Sequence, residues 1–197
     1  GRVATSLSYI DRAVVSTDHP EVRDVAIEAG LEAPFMRPES LSGDIIGDTE
    51  VLTHALLEME KRDGVQYDVI VMLQPTSPMR TPEHVTETVK KLIEGEYDSV
   101  WTVSETDSKS HPLKQLVIDD DQLDYYDQDG ASIIARQQLK PVYHRNGAAY
   151  AISRSCLLHS KSIKGKNSSA VIINSPLVNI DTEFDLRLAE FFSSQSR

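Results

Sequence analysis

The chain has 197 residues, 40% hydrophobic and 26% charged, with 31 acidic side chains against 20 Lys and Arg for a formal net charge of −11. That balance excludes non-specific binding to nucleic acid or to an anionic membrane, since both need surplus positive charge, and the length suits a single α/β domain, residues 1–197. The lone Cys156 excludes an internal disulfide and a cysteine-based zinc site, and the longest clean apolar run, 69–73, falls far short of the ~20 residues that span a bilayer.

A reducing, cytoplasmic setting fits this composition, and no charged-then-apolar leader opens the chain. Ala13 to Thr17 reads as a buried strand. His19 to Gly30 reads as a helix, with Pro20 in its first turn and Gly30 as its stop. Ala33 to Met36 is a short strand at best, because Pro34 removes a donor. Asp48 is expected to cap a longer helix whose Val51, Leu52, Ala55, Leu56 and Met59 share one face, closed by Lys61 to Gly64. Asp68 to Leu73 has no polar break after its first residue, as in a strand buried on both faces. Thr81 then caps a helix that has Pro82 at its first position and runs to about Gly95.

Ser99 to Ser104 is a further strand, and 105–112 is polar loop. Leu113 to Ile118 reads as a strand turning at Asp119-Asp120-Asp121, followed by an irregular stretch to Pro141. Gly147 to Ile152 is strand-like, Arg154 to His159 fits a short helix, and Lys161 to Ser169 is a basic Gly/Ser/Asn-rich loop. Ala170 to Asn174 and Leu177 to Ile180 read as short strands, and Thr182 caps a last helix through Phe192. Strands alternating with helices predict an α/β fold with a mostly parallel central sheet flanked by helices.

Ligands of open α/β sheets sit beyond the carboxyl ends of strands. Gln74 to Thr81 occupies that place after the best strand. Two prolines stiffen it, so little entropy is lost on ordering. Gln74, Thr76 and Ser77 offer hydrogen bonds to hydroxyls and amides, and Arg80 offers a fork suited to a carboxylate or phosphate. No nucleophile motif accompanies them, and the six histidines show no metal-ligand spacing.

The string Leu73-Gln74-Pro75-Thr76-Ser77-Pro78-Met79-Arg80 resembles the LQPTSPLR segment of the acylneuraminate cytidylyltransferases, the CMP-sialic acid synthetase type. Asp11 to Asp18 is similar to their DRVVVSTD, and Arg37 to Leu41 with Asp44 to their RPAELAxD. Arg136 to Leu139, Asn146 to Tyr150, and Ile180 to Leu186 with Ala189-Glu190 resemble RQ(D/Q)LP, NGAIY and IDTxxDxxxAE. The motifs keep the family's order from residue 11 to the last helix.

The resemblance implies a Rossmann-like nucleotide-diphospho-sugar transferase fold. It implies transfer of CMP from CTP to the anomeric hydroxyl of a sialic-acid-like nine-carbon keto-sugar acid, with Mg²⁺ or Mn²⁺ present and pyrophosphate released. Legionaminate and pseudaminate enzymes share these motifs; KDO enzymes lack the LQPTSPLR string. Implied at the sugar are Gln74, Thr76, Ser77, Arg136, Asn146 and Tyr150, with Arg136 meeting its carboxylate or nearby groups. Implied at the nucleotide are Arg37, Asp48 and Arg80, and at the metal Asn179 and Asp181, with Asp181 the catalytic acid. Tyr150 reads equally as core, Asp48 equally as helix cap, and Arg37 and Arg136 also fit as solvated arginines. A homodimer is implied, with 105–145 as a dimerisation and sugar-site insertion that the 155–170 loop completes.

Three departures stand out. Asn179 replaces the first acid of the family's D-I-D pair, bringing a carbonyl oxygen without charge. The family pattern Y-R-x-N-G-A reads Tyr143-His144-Arg145-Asn146-Gly147-Ala148 here, so either His144 or Arg145 serves the site. Residues 1–10 do not resemble the family's ARxGSKxxxxKN phosphate loop. That loop and the first strand are expected outside these residues, as a segment that orders with ligand or through truncation. These departures leave open a non-catalytic family member that binds sugar or nucleotide.

Overall fold

The computed structural model describes residues 1–195. In chain order it forms α1 (Arg2–Ser6), α2 (Pro20–Glu28), α3 (Asp48–Asp63), β1 (Val69–Met72), α4 (Pro82–Glu94) and β2 (Ser99–Glu105). There follow β3 (Leu116–Asp119), β4 (Gln122–Tyr125), β5 (Tyr143–Ser153), α5 (Arg154–Leu158), β6 (Ser168–Ile172) and α6 (Glu183–Gln195). Four strands make the central sheet in the order β1-β5-β2-β6, and β3 pairs with β4 as a separate ribbon. β5 runs antiparallel to both neighbours, whereas β2 and β6 are parallel. β1, β2 and β6 therefore point one way and both antiparallel pairings involve β5, so the sheet between the helices is mixed.

β5 is the centre of the core: Ala148, Ala149, Tyr150, Ala151 and Ile152 are all buried in succession. A strand covered on both faces has no polar alternation. On one face Val85, Val89 and Leu92 of α4 pack with Val100, Ala149 and Ala151. On the other, Leu56 of α3 packs with Ile152 and with Cys156 and Leu157 of α5. β1 confirms the two sides, since Val69 and Val71 join the first cluster and Ile70 the second. Helix ends follow local chemistry. The Thr81 side chain accepts from the His84 amide while His84 Nδ1 accepts from the Thr81 amide, closing a capping box. Gly64 ends α3 at a left-handed φ of +69°.

Several sequence expectations are corrected here. Ala13 to Thr17 is not a strand; Val14 makes one parallel bridge to Glu32, because no strand flanks it to extend a ladder among the described residues. Ala33 to Met36 likewise carries no ladder. Gly47, not Asp48, is the N-cap of α3, and Asp48 is its first helical residue. Leu113 lies in a 3-10 turn, so the strand there begins at Leu116. Leu177 to Ile180 forms no strand in any sheet, and its Ile180 amide donates to the Thr76 carbonyl instead. The turn at Asp119 to Asp121 is present, with Asp120 and Asp121 at positive φ, and every residue of β3 and β4 is exposed.

A bidentate pair ties α3 to α5. Arg154 Nε and Nη2 donate to Glu60 Oε1 and Oε2 at 2.7 and 3.0 Å, and Glu60 Oε1 also accepts from the Tyr67 amide. The Arg154 bond, working against burial, holds the Glu60 carboxyl below its ordinary value. A carboxyl so lowered stabilises the fold above its unfolded pKa of about 4.3, and that contribution is lost as pH falls through the folded value. Glu60→Gln is expected to lower the melting temperature by about 2–5 °C at pH 7, with the gap closing at pH ~3. An equal gap at both pH values would remove the electrostatic account.

Candidate active site

The turn leaving β1 is locked onto β5. The Gln74 amide donates to the Gly147 carbonyl at 3.3 Å, and the Ser77 amide closes back on the Gln74 carbonyl at 3.2 Å. Ser77, only 1% exposed, donates through Oγ to the Asn146 carbonyl at 2.7 Å. Gly147 makes this approach possible. Its φ is +73°, and a Cβ there would collide with Ser77 Oγ and Gln74 Oε1. Its amide donates to the Tyr150 hydroxyl at 2.9 Å.

Asn146 is buried and its amide is committed. Oδ1 accepts from Thr102 Oγ1 at 2.7 Å and from the Ala148 amide at 3.2 Å, while Nδ2 donates to Ser104 Oγ at 3.0 Å. The residue therefore reaches the loop through its backbone oxygen. Tyr150, also 1% exposed, is at once a core ring and a brace for Gly147.

The segment before the last helix meets the same loop. The Ile180 amide donates to the Thr76 carbonyl at 2.8 Å. Ser77 Oγ lies 3.4 Å from Asn179 Oδ1, and Asn179 Nδ2 donates to Asp181 Oδ2 at 2.8 Å. Ser77, Asn179 and Asp181 thus form one chain of contacts, although the motifs stand 102 residues apart. Behind Asp181, the Thr182 hydroxyl accepts from the Asp185 amide and Asp185 Oδ2 accepts from the Thr182 amide, fixing the start of α6. Asn179 Oδ1 and the exposed Asp181 carboxylate are oxygen donors for a hard cation. No group of three or more His, Cys, Asp or Glu suited to a metal exists among the described residues.

Two arginines flank Tyr150. Arg80 Nη2 donates to the carbonyls of Gln74 and, at 3.2 Å, Gly147, while its Nε is buried without a partner. Burial, opposed by the Tyr150 hydroxyl, lowers its pKa to about 10, so it remains a cation at neutral pH. Arg145 lies over the Trp101 ring, with Cζ 5.5 Å from the centroid, and Trp101 meets Tyr150 at 5.2 Å. Burial raises the Tyr150 pKa, Arg145 and Arg80 oppose the rise, and Asp48 adds to it.

The remaining expected residues stand apart. Arg37 Nη2 pairs with Asp18 at 2.8 Å and its Nε donates to Ser42, which spends its fork locally. Arg136 is exposed in a 3-10 turn, with no hydrogen bond or ion pair to the Ser77 cluster. Trp101 and Thr102 were missed in the sequence. An apolar β-run conceals them, and only the pairing with β5 shows what they touch. The cluster mixes buried Ser77, Asn146 and Tyr150 with exposed Asn179 and Asp181. Two surface hollows lie elsewhere, about 360 Å³ beside Lys90 and Tyr97 and about 390 Å³ between His54 and Leu157.

The sequence profile described as Cytidylyltransferase matches residues 2–190. The chain is 28% identical over 198 residues to a CMP-N,N'-diacetyllegionaminic acid synthase of Legionella pneumophila, covering 95% of this chain and 80% of that protein. It is 29% identical over 189 residues to an N-acylneuraminate cytidylyltransferase of Escherichia coli, covering 94% of this chain and 43% of that protein. A solved CMP:2-keto-3-deoxy-manno-octonic acid synthetase complexed with CTP is similar at a TM-score of 0.66 and 16% identity, covering 99% of this chain and 86% of that one. At that identity the likeness is one of fold.

Proposed function

The chain belongs to the cytidylyltransferase family, and from that premise we propose that it transfers CMP from CTP to the anomeric hydroxyl of a sialic-acid-like nine-carbon keto-sugar acid. The anomeric oxygen attacks the α-phosphorus, the bond to the bridging oxygen breaks, and pyrophosphate leaves. Such transfer depends on positioning and charge neutralisation more than on a protein nucleophile. The observation that carries the reading is Arg80: a half-buried cation with no carboxylate partner among the described residues, held on the loop whose Ser77 meets Asn179 and, through it, Asp181. In a chain of net charge −11, such a group fits an anionic ligand.

The oxygen-bearing side chains of Asn179 and Asp181 fit Mg²⁺ or Mn²⁺ shared with substrate, since Mg²⁺ takes one or two protein oxygens and completes its shell with phosphates and water. Asp181 and Asn179 would hold it, and it would neutralise charge developing on the phosphates. The exposed Leu116, Ile118, Leu123, Tyr126 and Ile134 of 105–145 support a homodimer through that segment. The lone, buried Cys156 suits a reducing, cytoplasmic setting, and no helix among the described residues is long and apolar enough to cross a membrane.

Pyrophosphate release from CTP and Mg²⁺ is expected with one of N-acetylneuraminate, legionaminate or pseudaminate. The same sample is expected to sediment as two chains, and CTP with Mg²⁺ to raise its melting temperature more than UTP does. No release and no thermal shift would remove the reading. A second reading, binding without turnover, is favoured by Asn179, whose amide occupies Asp181 Oδ2. Asn179→Asp separates the two: a change under about tenfold marks a working enzyme, and a large gain from near zero marks a degenerate one.

A further inference from the structure

The capping box that opens α4 is closed by a titratable ring. The returning side chain of such a box is ordinarily Glu or Gln. Here it is His84, whose Nδ1 accepts from the Thr81 amide at 3.2 Å. In return the His84 amide donates to Thr81 Oγ1 at 3.4 Å, and the Thr81 hydroxyl also bonds the Glu83 carboxylate. Thr81 is extended, at φ −116° and ψ 162°, as the proline after it requires.

The Thr81 amide belongs to the peptide unit that Thr81 shares with Arg80, and a peptide unit is planar and rigid. Holding its N–H therefore fixes the carbonyl end of Arg80. The far end of the same residue is fixed through its side chain, since Nη2 donates to the carbonyls of Gln74 and Gly147. Arg80 is thus held between the loop after β1 and the first turn of α4, and His84 supplies the grip on the helix side.

That grip needs a neutral ring. Nδ1 accepts only while it carries no proton, which leaves the ring hydrogen on Nε2. A proton on Nδ1 sets two donors face to face and breaks the bond. Burial lowers the His84 pKa, and the carboxylates of Glu87 and Glu83, both on its own helix, oppose the fall. α1, β2, β5 and β6 pack against α4, and among the described residues none of them sets a charge against the ring. Tyr9 meets α4 at Thr86, and Lys91 leaves it for the Ala170 carbonyl. The ring is therefore neutral at pH 7 and takes its proton below the ordinary histidine value of about 6.5.

We propose that neutral His84 is a positioning residue for Arg80: its bond to the Thr81 amide sets the corner from which the arginine reaches the phosphates of CTP, and protonation of the ring releases that corner. This rests on the cytidylyltransferase reading of the site.

The test uses the full chain with CTP, Mg²⁺ and the best acceptor acid, at about pH 8 and about pH 5.5, with CTP affinity read by calorimetry as well as from KM. On acidification wild type is expected to lose about tenfold more CTP affinity than His84→Gln, whose amide oxygen accepts the same bond without titrating. Protonation of CTP itself affects both proteins alike and cancels in the comparison. At the higher pH, His84→Ala is expected to raise the KM for CTP about tenfold with kcat within about threefold, and His84→Gln to recover most of the loss. In an Arg80→Met background, His84→Ala is expected to change CTP affinity less than about twofold, because it acts through the arginine. A ring that serves the helix alone would lower the melting temperature and leave CTP affinity and its pH dependence unmoved. Parallel pH profiles for wild type and His84→Gln, or a His84→Ala effect that survives in Arg80→Met, overturns the proposal. If wild type neither releases pyrophosphate nor binds CTP, the cytidylyltransferase reading fails separately. The backbone amide resonances of Arg80 and Thr81 in the ligand-free protein then decide the assignment. They are expected to follow the His84 titration in wild type and to lose that response in His84→Gln; amides that ignore the titration refute it.

Discussion

Gly147→Val is expected to lower kcat/KM by about 100-fold or more while the sheet stays folded. The residue sits at φ +73°, where a side chain costs about 1–2 kcal/mol, and more when branched at Cβ. The added Cβ also meets Ser77 Oγ and Gln74 Oε1, and overpacking of this kind costs about 1–3 kcal/mol. The relief available is to push the Gln74–Ser77 turn off β5. That breaks the Ser77 bond to Asn146 and separates Ser77 from Asn179. A shift of about 1 Å is enough to cost two orders of magnitude in a reaction that relies on placement. Circular dichroism and single-substrate kinetics together check this. Unchanged kinetics in a folded variant would show that the loop does not need its seat on the strand.

Arg80→Met is expected to weaken CTP about 100-fold and yet leave the melting temperature within about 2 °C. Burial has already lowered the arginine's pKa to about 10, so the fold loses stability by keeping this cation out of water. Against that stand two bonds from Nη2 to the carbonyls of Gln74 and Gly147. Methionine removes both the penalty and the bonds, so stability nearly balances, while the attraction for phosphate vanishes. Calorimetric titration with CTP and a thermal melt read the two effects apart. Undiminished CTP affinity would make Arg80 a brace only.

Elements whose partners are near in sequence, or whose chemistry is local, could be read from the chain. Val69 to Met72 needed only its unbroken apolar run, and α4 only Thr81, Pro82 and a repeat of Val85, Thr88, Val89 and Leu92. The Gln74–Arg80 turn was legible because proline, position after a strand and a forked cation all point to one use. Ala13 to Thr17 and Leu177 to Ile180 were misread because an apolar run makes a strand only when another strand lies beside it. The reversal of β5 lies in connections, not in its composition. Trp101 was invisible for the same reason, since an aromatic in a strand usually means packing, and only register places it under Arg145. The side-chain bonds of Asn146 to Thr102 and Ser104 are likewise hidden in the sequence, since they join strands distant along the chain.

The β3–β4 ribbon carries its turn at Asp120 and Asp121, and none of its strand residues is covered by the sheet. A lone pair of strands has little cohesion of its own. Its amides can open to solvent individually while those of β5 stay shut. Extra residues spliced at Asp120 would therefore lengthen the arm and leave the contacts among Ser77, Asn179 and Asp181 unmoved.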